Sequence, residues 1–199
     1  VDQHIPLVFY DRVSIGVNAS RVVIDDYMGA FSAVNHLINT GCRRIAYYGL
    51  SMNLEIGKNR YNGYRDALLK HGIQPDEQLI RMCDNRSDAE SITPDLLNFQ
   101  NPPDAFFAVN DETALGILYS CKRLGYRIPE DISIVGFDNF PLANVVTPPL
   151  SFIAQPTAEM GNAAGKLLYR RIQGDYTDFP KVSLYKPTLH SKKSVSKLN

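Results

Sequence analysis

Pro103–Gly125, PDAFFAVNDETALGILYSCKRLG, carries the pattern from which the fold is read. Ala105–Val109 is an almost continuous apolar run, too short for a buried helix. It reads as a strand at the centre of a sheet, buried on both faces. Asn110 and Asp111 follow, residue types that turn the chain and cap helices. Asp111–Leu124 then places apolar residues at helical spacing, and Gly125 supplies the usual left-handed stop.

The same unit recurs in both directions. Toward the N-terminus, Leu79–Cys83 reads as a strand, and Asp88–Phe99 as a helix that Pro94 is expected to interrupt or restart. Ile45–Tyr48 is a strand, followed by the helix Arg60–His71, stopped by Gly72. Ile5–Tyr10 is a strand ending at Asp11, and Arg21–Ile24 one ending at Asp25. The helix Tyr27–Thr40 stops at Gly41. Toward the C-terminus, the strand Ile132–Val135 runs into Gly136-Phe137-Asp138. A short strand, Phe152–Ala154, precedes the helix Thr157–Ile172, stopped near Gly174, and Val182–Tyr185 is the last strand. Short apolar runs alternating with helices define an α/β fold of parallel strands with helices on both faces. Its connections should be right-handed. In such sheets the ligand crevice lies at the carboxyl ends of the strands.

Those ends are polar: Asp11, Asp25, Asn110 with Asp111, and Asp138. Asp25 and Asp111 are read equally well as helix caps. Asp138 is followed by Asn139-Phe140-Pro141 and has no helix to cap.

Composition narrows the function. The 199 residues suffice for one large domain or two small ones, and 44% hydrophobic with 21% charged residues is ordinary globular usage. Lys+Arg and Asp+Glu both number 21. No basic run stands out, as it would in a domain that grips nucleic acid by itself. No stretch has membrane-spanning length and none reads as a leader, so a cytoplasmic protein with no membrane partner is expected. Cys42, Cys83 and Cys121 are odd in number, scattered and set among apolar residues, which suits buried thiols better than disulfides. No phosphate-cradling glycine loop, GxSxG elbow or Cys-x-x-Cys occurs. His4, His36, His71 and His190 lack metal-ligand spacing. A non-enzymatic protein without metal or cofactor is therefore expected.

Pro129–Asn139, PEDISIVGFDN, resembles the PEDISVVGFDD run of LacI/GalR-type transcription regulators, and Pro103–Gly116 is similar to their PDAIFAxNDxxALG. Ile5–Arg12 (IPLVFYDR), Asn59–Leu68 with Arg60, Gly63 and Tyr64, and Pro148–Pro156 (PPLSFIAQP) followed by Glu159-Met160-Gly161 fall in the family's order. The resemblance runs from residue 5 to about 190. It implies a type I periplasmic-binding-protein-like fold of two lobes joined by three crossovers, with an effector in the cleft. On that reading residues 26–148 and 179–190 form the C-terminal lobe. Residues 1–25 and 149–178 form a remnant of the N-terminal lobe, and 191–199 are a tail. The first part of the N-terminal lobe and the helix-turn-helix headpiece are expected to lie outside this sequence.

The resemblance also places Arg60, Asp138, Asp11, Asn110 and Gln155 at positions where family members contact the effector. A sugar hydroxyl both donates and accepts, and such planar groups can bridge neighbouring hydroxyls in pairs. Other roles stand beside this one. Arg60 could pair with Asp138, Asn110 could cap the helix after it, and Gln155 could serve only a crossover strand. Phe137, Phe140, Tyr48 and Tyr61 are candidates for a ring that stacks on a sugar. The partners implied are a small-molecule effector (a carbohydrate), operator DNA through the headpiece alone, and a second copy in a homodimer. The helix Asp111–Leu124 and the segment after Asp138 are candidate dimer faces. A secreted sugar-binding protein of a transport system is the alternative on the same fold, and the Pro129–Asp138 and PPLSFIAQP runs speak against it.

Overall fold

The computed structural model describes residues 5–14, 16–138 and 145–196. It divides into two units. The larger holds Asp26–Ala154 with Thr188–Asn199, the smaller Val1–Asp25 with Gln155–Pro187. The chain passes between them three times, at Asp25–Asp26, Ala154–Gln155 and Pro187–Thr188.

In the larger unit, α1 (Asp26–Asn39), β3 (Ile45–Gly49), α2 (Glu55–Lys70), β4 (Ile80–Met82), α3 (Arg86–Leu97), β5 (Ala105–Ala108), α4 (Asp111–Arg123), β6 (Ser133–Phe137), β7 (Ser151–Ala154) and β9 (Thr188–His190) follow in chain order. They build a six-stranded sheet in the order β4-β3-β5-β6-β7-β9, parallel except for β9. Alternate residues of each strand serve opposite faces. Ile45, Tyr47, Phe107, Val135 and Phe137 pack with α1 and α2. Ala46, Tyr48, Phe106, Ala108 and Ile134 pack with α3 and α4. Both faces are covered, so β5 can be apolar throughout. Phe106 and Val109 are fully buried, as the sequence led us to expect.

Close helix pairs make these layers thin. A Cβ on Gly63 of α2 would stand 2.3 Å from the Tyr27 carbonyl oxygen of α1. One on Gly116 of α4 would stand 2.5 Å from the Arg86 carbonyl oxygen of α3. Only a bare backbone fits at either crossing. The helix stops behave as read: Gly41 after α1 has φ 110° and Gly125 after α4 has φ 84°.

Pro94 neither interrupts nor restarts its helix; it lies inside α3. Proline lacks the N–H that would reach the Glu90 carbonyl four residues back. Ser120 of α4 fills that role, its hydroxyl donating to the Glu90 carbonyl oxygen at 3.1 Å. The helix starts at Arg86 because Asn85 caps it, accepting from the Asp88 N–H at 2.9 Å.

The smaller unit is a parallel three-stranded sheet, β1 (Val8–Tyr10), β2 (Ser20–Ile24) and β8 (Val182–Tyr185), in the order β1-β2-β8. Helix α5 (Thr157–Ile172) lies on one face, with Met160 and Leu167 against Val22 and Ile24. Its last turn is clasped by ion pairs. Buried Arg171 donates to Ser20 Oγ at 3.2 Å and to Asp178 Oδ1 at 2.7 Å, and Arg170 reaches both Asp175 and Asp178.

The divisions expected at 149 and 179 differ from those observed. β7 pairs with β6 in the larger unit, and β8 pairs with β2 in the smaller one. The burial of these strands gives the reason. Ser151, Phe152 and Ile153 of β7 are all buried, which requires a sheet covered on both faces. β8 alternates between exposed and half-buried residues, as an edge strand covered on one face does.

Candidate functional site

The carboxyl ends of β3, β5 and β6 bring together the best-organised polar group of the larger unit. Its centre is Arg60, 3% exposed and in the second turn of α2, which begins at Glu55 rather than at Arg60 as the sequence suggested. Arg60 Nε donates to Asp26 Oδ1 at 2.8 Å, and Nη1 donates to the Val109 carbonyl just past β5. The guanidinium carbon lies 3.6 Å from the centre of the Phe137 ring, at the end of β6. A buried charge must be paired and hydrogen-bonded, and here a carboxylate, a carbonyl and an aromatic face do that together.

The ion pair of Arg60 is thus with Asp26, where the sequence reading had offered Asp138. The physical reason is depth. Asp26 starts α1, which packs directly on α2, and its side chain is 7% exposed. Asp138 is half-buried one residue beyond β6, next in sequence to the Phe137 over which the guanidinium lies. Arg60 is moreover a core position, and its loss will be felt by the fold.

Asp138 has φ 119°, and its N–H donates to the Ile153 carbonyl at 2.8 Å. Asp11, half-buried in the smaller unit, has φ 61°, and its N–H donates to the Val22 carbonyl at 3.0 Å. These are the non-glycine residues with positive φ among those described. Such backbone is strained for an L-residue and tends to occur where a side chain is being aimed. Both follow a strand directly, so the strain sits at the carboxyl ends.

Asn110 is a cap. Its Oδ1 accepts from the Thr113 N–H at 2.8 Å, and its Nδ2 donates to the Asp84 carbonyl at 2.7 Å. Both ends of the amide are engaged with the protein. Gln155 opens the smaller unit's second segment, half-buried, its carbonyl accepting from the Thr157 N–H at 2.9 Å. The structure therefore brings Arg60, Asn110 and Asp138 to one sheet edge in the larger unit, while Asp11 and Gln155 belong to the smaller.

Among the aromatic candidates, Phe137 lies under Arg60, and Tyr48 is a core residue bonded to Thr93 at 3.1 Å. Tyr61 meets the Tyr47 ring edge-on at 5.8 Å. Phe140 lies outside the described residues. Asp26 was visible in the sequence only as an acid at a helix start. The signal that could have assigned it is the Gly63 crossing, which fixes α1 against α2 and Asp26 beside Arg60.

Burial raises the thiol pKa of Cys42 and Cys83 to about 11 and that of Cys121 to about 12. All three are buried and free, as expected. Among the described residues, no group of three or more His, Cys, Asp or Glu is placed to hold a metal ion, and no helix is long and apolar enough to cross a membrane.

A mostly parallel sheet wrapped by helices, a second small parallel sheet and three passages between the units define a periplasmic-binding-protein-like domain, and the family model of that description matches residues 34–195. The HTH-type transcriptional repressor CytR of Escherichia coli K12 is 38% identical over 172 residues, which are 86% of this chain and 50% of that protein. A LacI family transcriptional regulator from Enterococcus faecium, solved with bound ribose, superposes with a TM-score of 0.90 at 30% identity, covering all of this chain and 73% of that one. The complex of the regulator CelR with cellobiose gives 0.87 at 33% identity, covering 94% and 58%. The chain belongs to the LacI family of transcription regulators, in their periplasmic-binding-protein-like part. It spans about half the length of the curated relatives it matches.

Proposed function

We propose that this chain is the sensor part of a cytoplasmic, homodimeric DNA-binding regulator, which holds a carbohydrate effector and passes its presence to a headpiece on operator DNA. The observation that carries the reading is Arg60, a buried guanidinium fixed at the carboxyl ends of parallel strands over Phe137, the residue that precedes strained Asp138. An enzyme would need a nucleophile with its base, or a metal. Nothing at this edge calls for either, and the named relatives are repressors and regulators rather than enzymes or transport proteins. Cellobiose on CelR and ribose on the Enterococcus faecium regulator favour a polyhydroxylated ligand. Asp138 is the leading effector contact, followed by Arg60 through whichever of its N–H groups the protein leaves unused. Asp11 and Gln155 are the smaller unit's contacts, and Asn110 acts mainly by ordering the start of α4.

A binding effector can bias two states only by its differential affinity for them. The test begins with a thermal-shift screen against sugars, sugar phosphates and nucleobases, followed by calorimetry. Asp138→Ala should keep the fold and weaken the ligand found by about tenfold or more, since ~1.4 kcal/mol is a factor of ten. Unchanged affinity removes Asp138 from the site. Residues 1–199 alone should bind duplex DNA only non-specifically, and a specific band shift at physiological salt would overturn that part.

A further inference from the structure

One buried group at this edge has no use within the fold. Tyr47 is fully buried, and its hydroxyl makes no hydrogen bond among the described residues. Its ring stacks on Tyr64 at 4.9 Å and meets Phe107 at 5.8 Å, so the apolar part is well packed. The hydroxyl points along β3 toward the carboxyl end. A Cβ built on Gly49 would stand 2.2 Å from Tyr47 Cε1 and 2.8 Å from its hydroxyl oxygen. The ring therefore occupies the space that a side chain at Gly49 would take, and the hydroxyl lies level with the last residue of β3. This is the edge at which Arg60 is held by Val109 and Phe137.

Burial raises the pKa of this phenol, with Arg60 opposing the shift and Tyr61 and Asp26 adding to it. The group is thus a neutral O–H with a proton to give. A phenylalanine would fill the same packing without burying an unsatisfied polar atom, which costs stability.

We propose that Tyr47 is a specificity-determining residue of the effector site, its hydroxyl donating to an oxygen of the bound ligand on the Arg60 side of the sheet edge. This rests on the function proposed above and goes further. The ligand carries a hydroxyl, ether or carbonyl oxygen at that point. Analogues without one are rejected, because they would leave the O–H buried and unpaired.

Tyr47→Phe tests the assignment by effects of opposite sign. Calorimetry with D-ribose and with cellobiose measures affinity for wild type, Tyr47→Phe and Asp138→Asn, and scanning calorimetry without ligand measures Tm. For a sugar that wild type binds, Tyr47→Phe should bind about tenfold or more weakly, while its ligand-free Tm is equal to wild type or higher by about 2–4 °C. Unchanged affinity in Tyr47→Phe with a loss in Asp138→Asn removes this inference alone. A lowered ligand-free Tm also overturns it, because the hydroxyl would then have a partner inside the fold. If wild type binds neither sugar, the carbohydrate reading fails and this inference fails with it.

Discussion

Replacing Arg60 by alanine tests how far the site and the core are one structure. The substitution removes the donor to Asp26 Oδ1 and to the Val109 carbonyl, and the cation above Phe137. Asp26 would be left as a carboxylate with a 7% exposed side chain and its closest cation gone. Breaking a buried ion pair from one side costs about 3–5 kcal/mol, mostly from the charge left behind. The lost stacking is not added on top, because groups in one network are not independent. At about 2–4 °C per kcal/mol for a protein of this size, Tm should fall by roughly 6–20 °C. The chain has no tryptophan, so urea unfolding is followed by tyrosine fluorescence and far-ultraviolet circular dichroism together. The double variant Arg60→Met with Asp26→Leu completes the cycle. It removes both charges and fills the space, so most of the stability should return, to within about 1 kcal/mol of wild type. A loss below about 0.5 kcal/mol in Arg60→Ala would refute the buried pair. So would a double variant no more stable than the single one, which would show that the loss comes from packing.

Three further perturbations test separate elements. Ser120→Ala should cost about 1 kcal/mol by leaving the Glu90 carbonyl unpaired, and the cost should vanish in a Pro94→Ala background, where the restored N–H takes over; equal losses in both backgrounds would contradict the pairing. Gly63→Ala should cost about 1–3 kcal/mol or more, because the added Cβ meets the Tyr27 carbonyl oxygen at 2.3 Å, and denaturant titration at neutral stability would show that α1 can move aside. The clasp at the end of α5 should give way in acid. Bonds from the Thr177 hydroxyl and N–H and from Arg170 lower the Asp175 pKa to about 2, and Arg171 holds Asp178 well below the usual carboxylate range. Their stabilisation is present above the ordinary carboxylate pKa near 4 and is lost as pH falls through the folded values. Unfolding midpoints should therefore drop between about pH 4 and 2, and less steeply in Asp178→Asn.

Much of the fold was legible because it rests on local rules. Ala105–Val109 could only be a doubly covered strand, and glycine marked the helix ends at Gly41 and Gly125. Where a local rule misled, a distant residue supplied what the local one lacked. Pro94 should end a helix, and nothing near it in sequence announces that Ser120 will replace its lost hydrogen bond. The strands after residue 148 went to the wrong sheets for a similar reason. Phe152–Ala154 and Val182–Tyr185 are both short and apolar, and their burial, on both faces for one and one-sided for the other, is a property of the sheet each joins.

The site was legible as a location but not as a network. That Arg60 and Asp138 lie at the carboxyl ends of strands follows from the order of strands and helices. Which carboxylate Arg60 takes does not, because Asp26 at a helix start and Asp138 at a strand end are both offered by the sequence, from different elements. The choice is made by how closely α1 and α2 approach, and that is set by Gly63, three residues beyond Arg60 and nearly one helical turn away. The missing side chain at Gly63 lets α1 sit close enough for Asp26, at its first residue, to reach the guanidinium while both are withdrawn from water. At that depth the pair is obligatory, because neither charge could be buried alone. Asp138, half-buried one residue past the sheet, keeps its contact with the outside, and this asymmetry separates the two acids. The carboxylate that holds the arginine in place is the buried one. The carboxylate proposed to meet the effector is the other one, half-buried on the positive-φ backbone at the end of β6.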